Sequence, residues 1–290
     1  MHHDAHPLPE DLRLWSSHVW QTRSVRLTTP RGVVLIDPTY FPDEIDRILL
    51  DADRVLENRH AEKRERVVLY THSDWDHVVA APRLESWRQV AQRRLADKPE
   101  PAKRNIVEEI AAFDRSWYVP RERWGYPRID EPLDDDAVFD LAGEPGRAVW
   151  TPGHTEDACV VILLERGVMV AGDLLSALEF PFVYHSVEAY RRTLDRVAEL
   201  IEEHAVRCVI PGHGPIAADA GEIQRRFDDD RRYLDDLCRV ASEAVKRGET
   251  EEPAVRSVAG QILFRGEPID ASQLGFHTAN VERAMREFAG

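Results

Sequence analysis

Two histidines and two aspartates lie within six positions of one another in the stretch from Val67 to Ala80, VVLYTHSDWDHVVA. They are His72, Asp74, Asp76 and His77, and they follow a short apolar, β-branched run. Imidazole nitrogens and carboxylate oxygens are the protein ligands that divalent metals such as zinc, iron and manganese accept. The stretch therefore predicts a strand that ends in a metal-binding loop.

Three later loops each offer one more ligand directly after an apolar run. His154 lies in TPGHT, Asp173 in AGDLL and His213 in PGHGP, and glycine flanks all three. Loops at strand ends carry chemistry because the strand fixes the backbone while the loop is free to vary. The four loops together predict one site at the ends of several strands.

Each of these residues also has a simpler interpretation. A single histidine in a loop is commonly solvated, and Asp173 after a strand could serve a turn or a cap. Asp74 could face solvent, and Trp75 beside it is predicted to pack in the core. The recurrence of a ligand-type residue after four separate apolar runs favours metal binding over these alternatives.

The elements that must position these loops alternate between strands and helices, which argues for an α/β domain. A hairpin turns at Gly32, and a helix with apolar residues at helical spacing follows at 43–57. The remaining predictions are strands at 66–70, 147–150, 159–164, 168–171 and 206–210, and helices at 187–200 and 279–288.

Two segments look like additions to this core. Residues 84–118 have a mostly helical pattern, with Trp87, Val90 and Ala91 as one stripe, so a mainly helical insertion is predicted at about 84–135. Its aromatic residues could form a lid or pack in the core. Residues 10–217 are then the core domain, and residues 218–290 are C-terminal helices packed on it.

The ordered loops THSDWDH, TPGHT, AGDLL and PGHGP resemble the motif set of the metallo-β-lactamase superfamily over roughly residues 12–217. The resemblance implies an α/β fold, the four-layer αββα sandwich of that superfamily, with a helical C-terminal extension here. It also implies two divalent metal ions per chain at one edge of the sandwich.

Carried over by motif, the resemblance assigns seven ligands. The first ion takes His72, Asp74 and His154; the second takes Asp76, His77 and His213; Asp173 bridges both. The family pattern is His-x-His-x-Asp-His, so this chain departs from it at Asp74. The diiron flavoprotein branch has a glutamate there, which makes a carboxylate compatible with ligation. Zinc is favoured, and the extra carboxylate keeps iron and manganese as alternatives.

The function implied is that of a metal-dependent hydrolase. A hydroxide that bridges the two ions would attack an ester, thioester, lactone or phosphoester, and Asp76 would orient it and pass a proton to the leaving group. The first alternative is a non-haem iron oxidoreductase on the same fold, which Asp74 keeps open. The second is a non-catalytic metal-binding or sensor protein.

Substrate contacts are predicted in the apolar loop LEFPFVYH, which follows Asp173 closely. Phe182, Tyr184 and His185 are the candidates. The alternative is that the aromatic residues pack in the core and that the histidine lies on the surface.

Composition limits the partners. A formal net charge of −15 disfavours nucleic acid, since an acidic surface repels phosphates. No window of 18 uninterrupted apolar residues and no N-terminal apolar segment are present, so neither a membrane span nor a secretory signal is expected. Three widely spaced cysteines fit a reducing compartment. The expectation is a cytoplasmic protein with a small-molecule substrate, and a homo-oligomer stays open.

Overall fold

The computed structural model describes residues 8–57, 64–249 and 251–289. A six-stranded sheet lies on one side of the core, in chain order from β1 to β6. The first three strands are antiparallel and the pairs from β3 to β6 are parallel. The strands are β1 Leu12–Ser16, β2 Arg23–Thr28, β3 Gly32–Ile36, β4 Glu65–Tyr70, β5 Arg88–Gln92 and β6 Glu131–Leu133.

A five-stranded sheet faces the first, in the order β11-β10-β9-β8-β7. Its pairs are antiparallel apart from β10 and β11, which are parallel. The strands are β7 Ala137–Leu141, β8 Glu144–Trp150, β9 Cys159–Leu163, β10 Val168–Val170 and β11 Cys208–Ile210. A separate hairpin joins β12 Leu263–Phe264 and β13 Glu267–Pro268.

Helices cover the outer faces of both sheets. None of the helices in the described ranges is long and apolar enough to cross a membrane. The helices are α1 Pro42–Glu57, α2 Trp75–Val78, α3 Arg93–Ala96, α4 Glu100–Trp117, α5 Val187–Glu203, α6 Ala220–Lys246, α7 Glu252–Ala259 and α8 Leu274–Ala289.

Alternation along the strands separates three apolar clusters. In β3, Val34 and Ile36 point between the sheets, whereas Val33 and Leu35 pack outward with Ile48 of α1. On the other sheet, the outward cluster joins β9 and β10 to α5, α6 and α8. The result is the four-layer αββα sandwich with a helical C-terminal extension, and this prediction is confirmed.

The helical prediction over residues 84–92 is wrong. Arg88–Gln92 is strand β5, paired in parallel with β4 and β6. Val90 and Ala91 are fully buried, as in an inner parallel strand covered on both faces. Polar residues flank them in the strand sequence RQVAQ, so neither alternation nor an apolar run marks β5. The long helix of this segment is Glu100–Trp117, and the domain boundaries stay a prediction.

The topology brings the four ligand loops to one edge. Strands β8, β10 and β11 run in the same direction, because β9 is antiparallel to both β8 and β10 while β11 is parallel to β10. Their carboxyl ends therefore share an edge. The loop after β4 joins them from the other sheet, since the Cys159 N–H donates to the Thr71 carbonyl at 2.9 Å.

Candidate metal centre

All seven predicted ligands converge at this edge. The ligand atoms of His72, Asp74, His154 and Asp173 lie within 4.8 Å of one another. Those of a second group meet the same limit: Asp76, His77 and His213. The structure thus brings the predicted residues together in two adjacent groups, and metal binding by them stays a prediction.

Asp173 lies between the two groups. Its Oδ1 atom is 3.1 Å from His77 Nε2, and its Oδ2 atom is 3.2 Å from His154 Nε2 and 3.3 Å from His213 Nε2. One carboxylate with an oxygen near ligands of each group has the position that a bridging ligand requires.

Asp74 faces the first group. Its Oδ2 atom is 3.1 Å from His154 Nε2. Although Asp74 precedes helix α2, its side chain makes no capping hydrogen bond to that helix, which is the usual use of aspartate there. Burial opposes ionisation, but His154 and His72 lower the pKa of the Asp74 carboxyl. Asp74 is therefore a carboxylate directed at His154 instead of a helix cap.

Asp37 orients two of the imidazoles. His77 Nδ1 lies 3.0 Å from Asp37 Oδ2, and the Thr71 N–H donates to Asp37 Oδ1 at 2.9 Å. The Thr71 hydroxyl donates to Asp37 Oδ2 at 2.5 Å and lies 3.0 Å from His72 Nδ1. Sequence reasoning missed Asp37 as a functional residue. The available signal was a carboxylate immediately after the buried strand GVVLI.

Backbone carbonyls orient the other two imidazoles. His154 Nδ1 donates to the Phe182 carbonyl at 2.8 Å, and His213 Nδ1 lies 3.2 Å from the Trp20 carbonyl. Partners at Nδ1 turn Nε2 of each ring toward the centre, as in protein metal sites where the outer nitrogen is held by a carbonyl or carboxylate.

The donor set fits divalent cations. His72 Nε2 is buried and has no hydrogen-bond partner in the described part of the chain, although its Nδ1 is held by Thr71. Buried polar atoms nearly always have a hydrogen-bond partner. A bound cation would be the missing partner of this nitrogen. Imidazole nitrogens and carboxylate oxygens in this ratio are suited to zinc, iron or manganese.

The imidazoles and carboxylates stabilise each other's ionised forms. Burial lowers the pKa of His77 and of His154, but nearby carboxylates raise both pKa values well above the usual value. The largest of these contributions comes from Asp173 for His77 and from Asp74 for His154. Burial likewise raises the pKa of Asp173, and the histidines bring it well below its usual range. Divalent cations would replace the histidine protons in this network.

Gly212 leaves room for the bridging side chain. A Cβ atom at this position would overlap the Asp173 carboxylate and press on the His77 ring. Gly212 also donates to the Gly172 carbonyl at 2.6 Å, which ties the two ligand loops together. The glycine that precedes His213 is therefore explained by close approach of the backbone to the centre.

A pocket of about 160 Å³ opens onto the ligands. Phe182 and Tyr184 line it as predicted, whereas His185 borders an adjoining cavity of about 560 Å³. Trp75, predicted to be a packing residue, packs against the apolar cluster outside the first sheet and against Phe113 of α4, and it also forms part of the pocket wall. Glu179, from the same predicted loop, also lines the pocket, and the lining residues that sequence reasoning missed are Trp20, Ser272, Gln273 and Phe276.

The pocket is acidic and aromatic. No lysine or arginine is among its described lining residues, and Glu179 adds a carboxylate to those of the ligands. Burial raises the pKa of Glu179 to about 7, with His213 acting in the opposite direction. An occupant is therefore surrounded by aromatic rings and carboxylates.

Curated relatives of this chain include fungal thioesterases. An atrochrysone carboxyl ACP thioesterase of Cryptosporiopsis sp. is 29% identical over 123 residues, which are 40% of this chain and 36% of the relative. A protein with the same function in its name from Aspergillus fumigatus is 24% identical over 250 residues, 80% of this chain and 69% of the relative. The chain thus spans little more than a third of the length of the first of these relatives.

Solved structures share the architecture. The crystal structure of a metallo-beta-lactamase family protein from Thermus thermophilus matches with a TM-score of 0.63 and 19% identity. The match covers 96% of this chain and 93% of that protein. At this identity the likeness shows the fold alone, which agrees with the αββα sandwich described above.

The family assignment comes from the sequence match. The family model of the metallo-beta-lactamase superfamily matches residues 19–231, which include all seven predicted ligands of the candidate centre. The superfamily match, together with relatives named as thioesterases, supports hydrolase activity and divalent-metal binding. This chain belongs to the metallo-β-lactamase superfamily.

Proposed function

We propose that this protein is a binuclear metal-dependent hydrolase of carboxylic thioesters and esters. The observation that carries the proposal is the cluster of seven candidate ligands beside a pocket that five of them line, with Asp173 between the two groups. Two divalent ions, when bound, supply an activated water molecule and polarise the carbonyl group of the substrate.

The pocket favours a neutral acyl group over a phosphoester. Its described lining has no lysine or arginine to pair with a phosphate, and four carboxylates face it: Asp74, Asp76, Asp173 and Glu179. Phosphate recognition generally uses arginine or lysine beside the metal ions. The relatives named as thioesterases agree with an acyl substrate.

The aromatic walls hold the acyl group and exclude bulk water. Trp20 and Trp75 meet edge to face with ring centroids 5.5 Å apart, and Phe182 stacks on Phe276 at 4.7 Å. Such rings bury an apolar group and fix its orientation. In the reaction, water adds to the carbonyl carbon and the carbon–sulfur or carbon–oxygen bond of the ester breaks.

Asp76 accepts and transfers the proton released from water. Its side chain is 7% exposed and lines the pocket, with Oδ2 3.5 Å from His213 Nε2. The Thr22 hydroxyl lies 3.4 Å from the same oxygen. A carboxylate held at this place orients the attacking water and passes its proton to the departing thiolate or alkoxide.

A substrate panel tests the proposal. We expect N-acetylcysteamine thioesters and para-nitrophenyl esters to be hydrolysed at least about tenfold faster, by kcat/KM, than bis-para-nitrophenyl phosphate. Prolonged chelation should remove the activity, and readdition of zinc or manganese should restore it. Full activity in the chelated protein, or a preference for the phosphodiester, would contradict the proposal.

A non-haem iron oxidoreductase is the second candidate, and the position of Asp74 favours it. A carboxylate beside His154 in place of a third imidazole makes the first group harder and more suited to iron. Visible absorbance of the purified protein, oxygen consumption and absence of hydrolysis would together favour this candidate over the hydrolase.

Asp37→Asn should weaken the centre without removing a ligand. An amide is uncharged and has only one acceptor oxygen, so it cannot replace both carboxylate oxygens in the contacts with Thr71 and His77. The rings of His72 and His77 then lose the carboxylate that orients both of them. Loss of such outer contacts costs about 10–100-fold in metal affinity or activity. Competition with a fluorescent zinc chelator measures the affinity. An unchanged affinity would show that Asp37 does not orient the ligands.

A further inference from the structure

Glu179 is fixed at the rim of the metal centre by its own loop. The Ser176 hydroxyl accepts from the backbone N–H groups of Leu178 and Glu179, at 3.0 and 3.2 Å, and donates to the His213 carbonyl at 3.1 Å. The next residue, Phe180, is buried against Tyr233. The backbone on both sides of Glu179 is therefore anchored, with its side chain in the lining of the pocket.

The Glu179 carboxylate has no partner of its own. Within the described residues its side chain makes no hydrogen bond and no ion pair, although it lines the pocket together with Asp173, His154 and His213. Among the described residues, only the charges of His213 and His154 favour the ionised form of this carboxylate, and no protein donor occupies its oxygens. A donor carried by an occupant of the pocket would satisfy it.

The other residues that line the pocket indicate what the rest of a bound molecule would be. Trp20, Trp75, Phe182, Tyr184 and Phe276 provide flat apolar surfaces on either side of the pocket. Phe276 belongs to α8, which begins beyond the part of the chain that the family model matches. The chain's own C-terminal helix thus completes a site for an aromatic group next to a carboxylate.

We propose that Glu179 determines specificity by accepting a hydrogen bond from a hydroxyl or ammonium group on an aromatic acyl substrate and by repelling a carboxylate at the same place. The inference rests on the proposed function, because it assigns the acyl portion of the substrate to this pocket. The substrate class is neutral or cationic aryl thioesters and esters that bear a hydrogen-bond donor.

A binding experiment tests recognition apart from hydrolysis. Quenching of tryptophan fluorescence at pH 8 would report the Kd values of para-hydroxybenzamide, para-(aminomethyl)benzamide and para-carbamoylbenzoate for the metal-loaded protein. We expect the first two to bind at least about tenfold more tightly than the benzoate, the size expected of a nearby like charge at an effective dielectric constant of about 20. In Glu179→Gln this ratio should fall at least about fivefold.

A kinetic experiment uses the corresponding N-acetylcysteamine thioesters, with hydroxyl, aminomethyl or carboxylate groups at the para position. The kcat/KM preference should fall in Glu179→Gln by a similar factor. Glu188→Gln is the matched control, because Glu188 is 60% exposed on α5 and pairs with Arg192. Its preferences should equal those of the wild-type protein.

The outcomes separate the two proposals. If no thioester is hydrolysed but the binding preference falls in Glu179→Gln, the proposed function fails and the recognition role stands. If thioesters are hydrolysed and neither preference changes in Glu179→Gln, the role of Glu179 is overturned and the function stands. A lower metal content in Glu179→Gln would also overturn it, because Glu179 would then act as a ligand.

Discussion

Asp173→Ala is expected to reduce thioester hydrolysis by at least about 10³-fold and to remove most of the bound metal. Asp173 is the only carboxylate among the described residues placed within 3.3 Å of imidazole nitrogens from both ligand groups. Loss of the several kcal/mol that bound metal contributes to the transition state corresponds to about this factor. Initial rates and elemental analysis on the same samples measure both effects.

A loss of activity in this variant must be distinguished from a loss of folding. Asp173 is 9% exposed and surrounded by histidines, so the metal-free variant should be compared with the metal-free wild-type protein by circular dichroism. Asp195→Ala is a suitable control, since Asp195 is 72% exposed and pairs only at the surface with Arg231. Near wild-type activity of a folded Asp173→Ala protein would be incompatible with a bridging role.

Asp74→Ala is expected to weaken one of the two metal sites selectively. Its carboxylate faces His154, and the second group, Asp76, His77 and His213, does not use it. We expect one ion per chain to be retained tightly and the other to dissociate during dialysis, with an activity loss of about 10²-fold or more. Metal content before and after dialysis measures this. Unchanged stoichiometry and affinity would show that Asp74 is not a ligand.

Asp74→His distinguishes charge from geometry at the same position. The substitution gives the first site the three histidines usual in the family. It also leaves two carboxylates, Asp76 and Asp173, instead of three to balance the four positive charges of two divalent ions. The preference for zinc over manganese should therefore increase. Asp134→Ala, a change at a residue 73% exposed, should leave both affinities unaltered.

The candidate ligands could be predicted from the sequence because each of the four loops that carry them follows its own apolar strand. The direction of strands β8, β10 and β11 then places His154, Asp173 and His213 at one edge by topology alone. Strand β5, with the sequence RQVAQ, could not be predicted in this way, because polar residues flank its only two apolar residues, Val90 and Ala91. Strands β3 and β9 are equally buried but have unbroken apolar runs. A strand can be predicted from its own sequence where it alternates or forms an unbroken apolar run, and β5 does neither.

The residues that support the ligands depend on contacts distant in the chain. Asp37 reaches His77 across 40 positions, and Phe276 reaches Phe182 from the C-terminal helix. Neither residue stands in a motif, and the only local signal is the carboxylate of Asp37 directly after a buried strand. His185, predicted to contact substrate from the position of its loop after Asp173, borders the adjoining cavity together with Asp74, and that contact stays a prediction.

The number of metal ions per chain tests the central claim most directly. The wild-type protein would be purified without added chelator, loaded with zinc, iron or manganese, dialysed and measured by inductively coupled plasma mass spectrometry against protein concentration. The seven converging ligands predict two ions per chain. One ion per chain, or none, would contradict a binuclear centre built on Asp173.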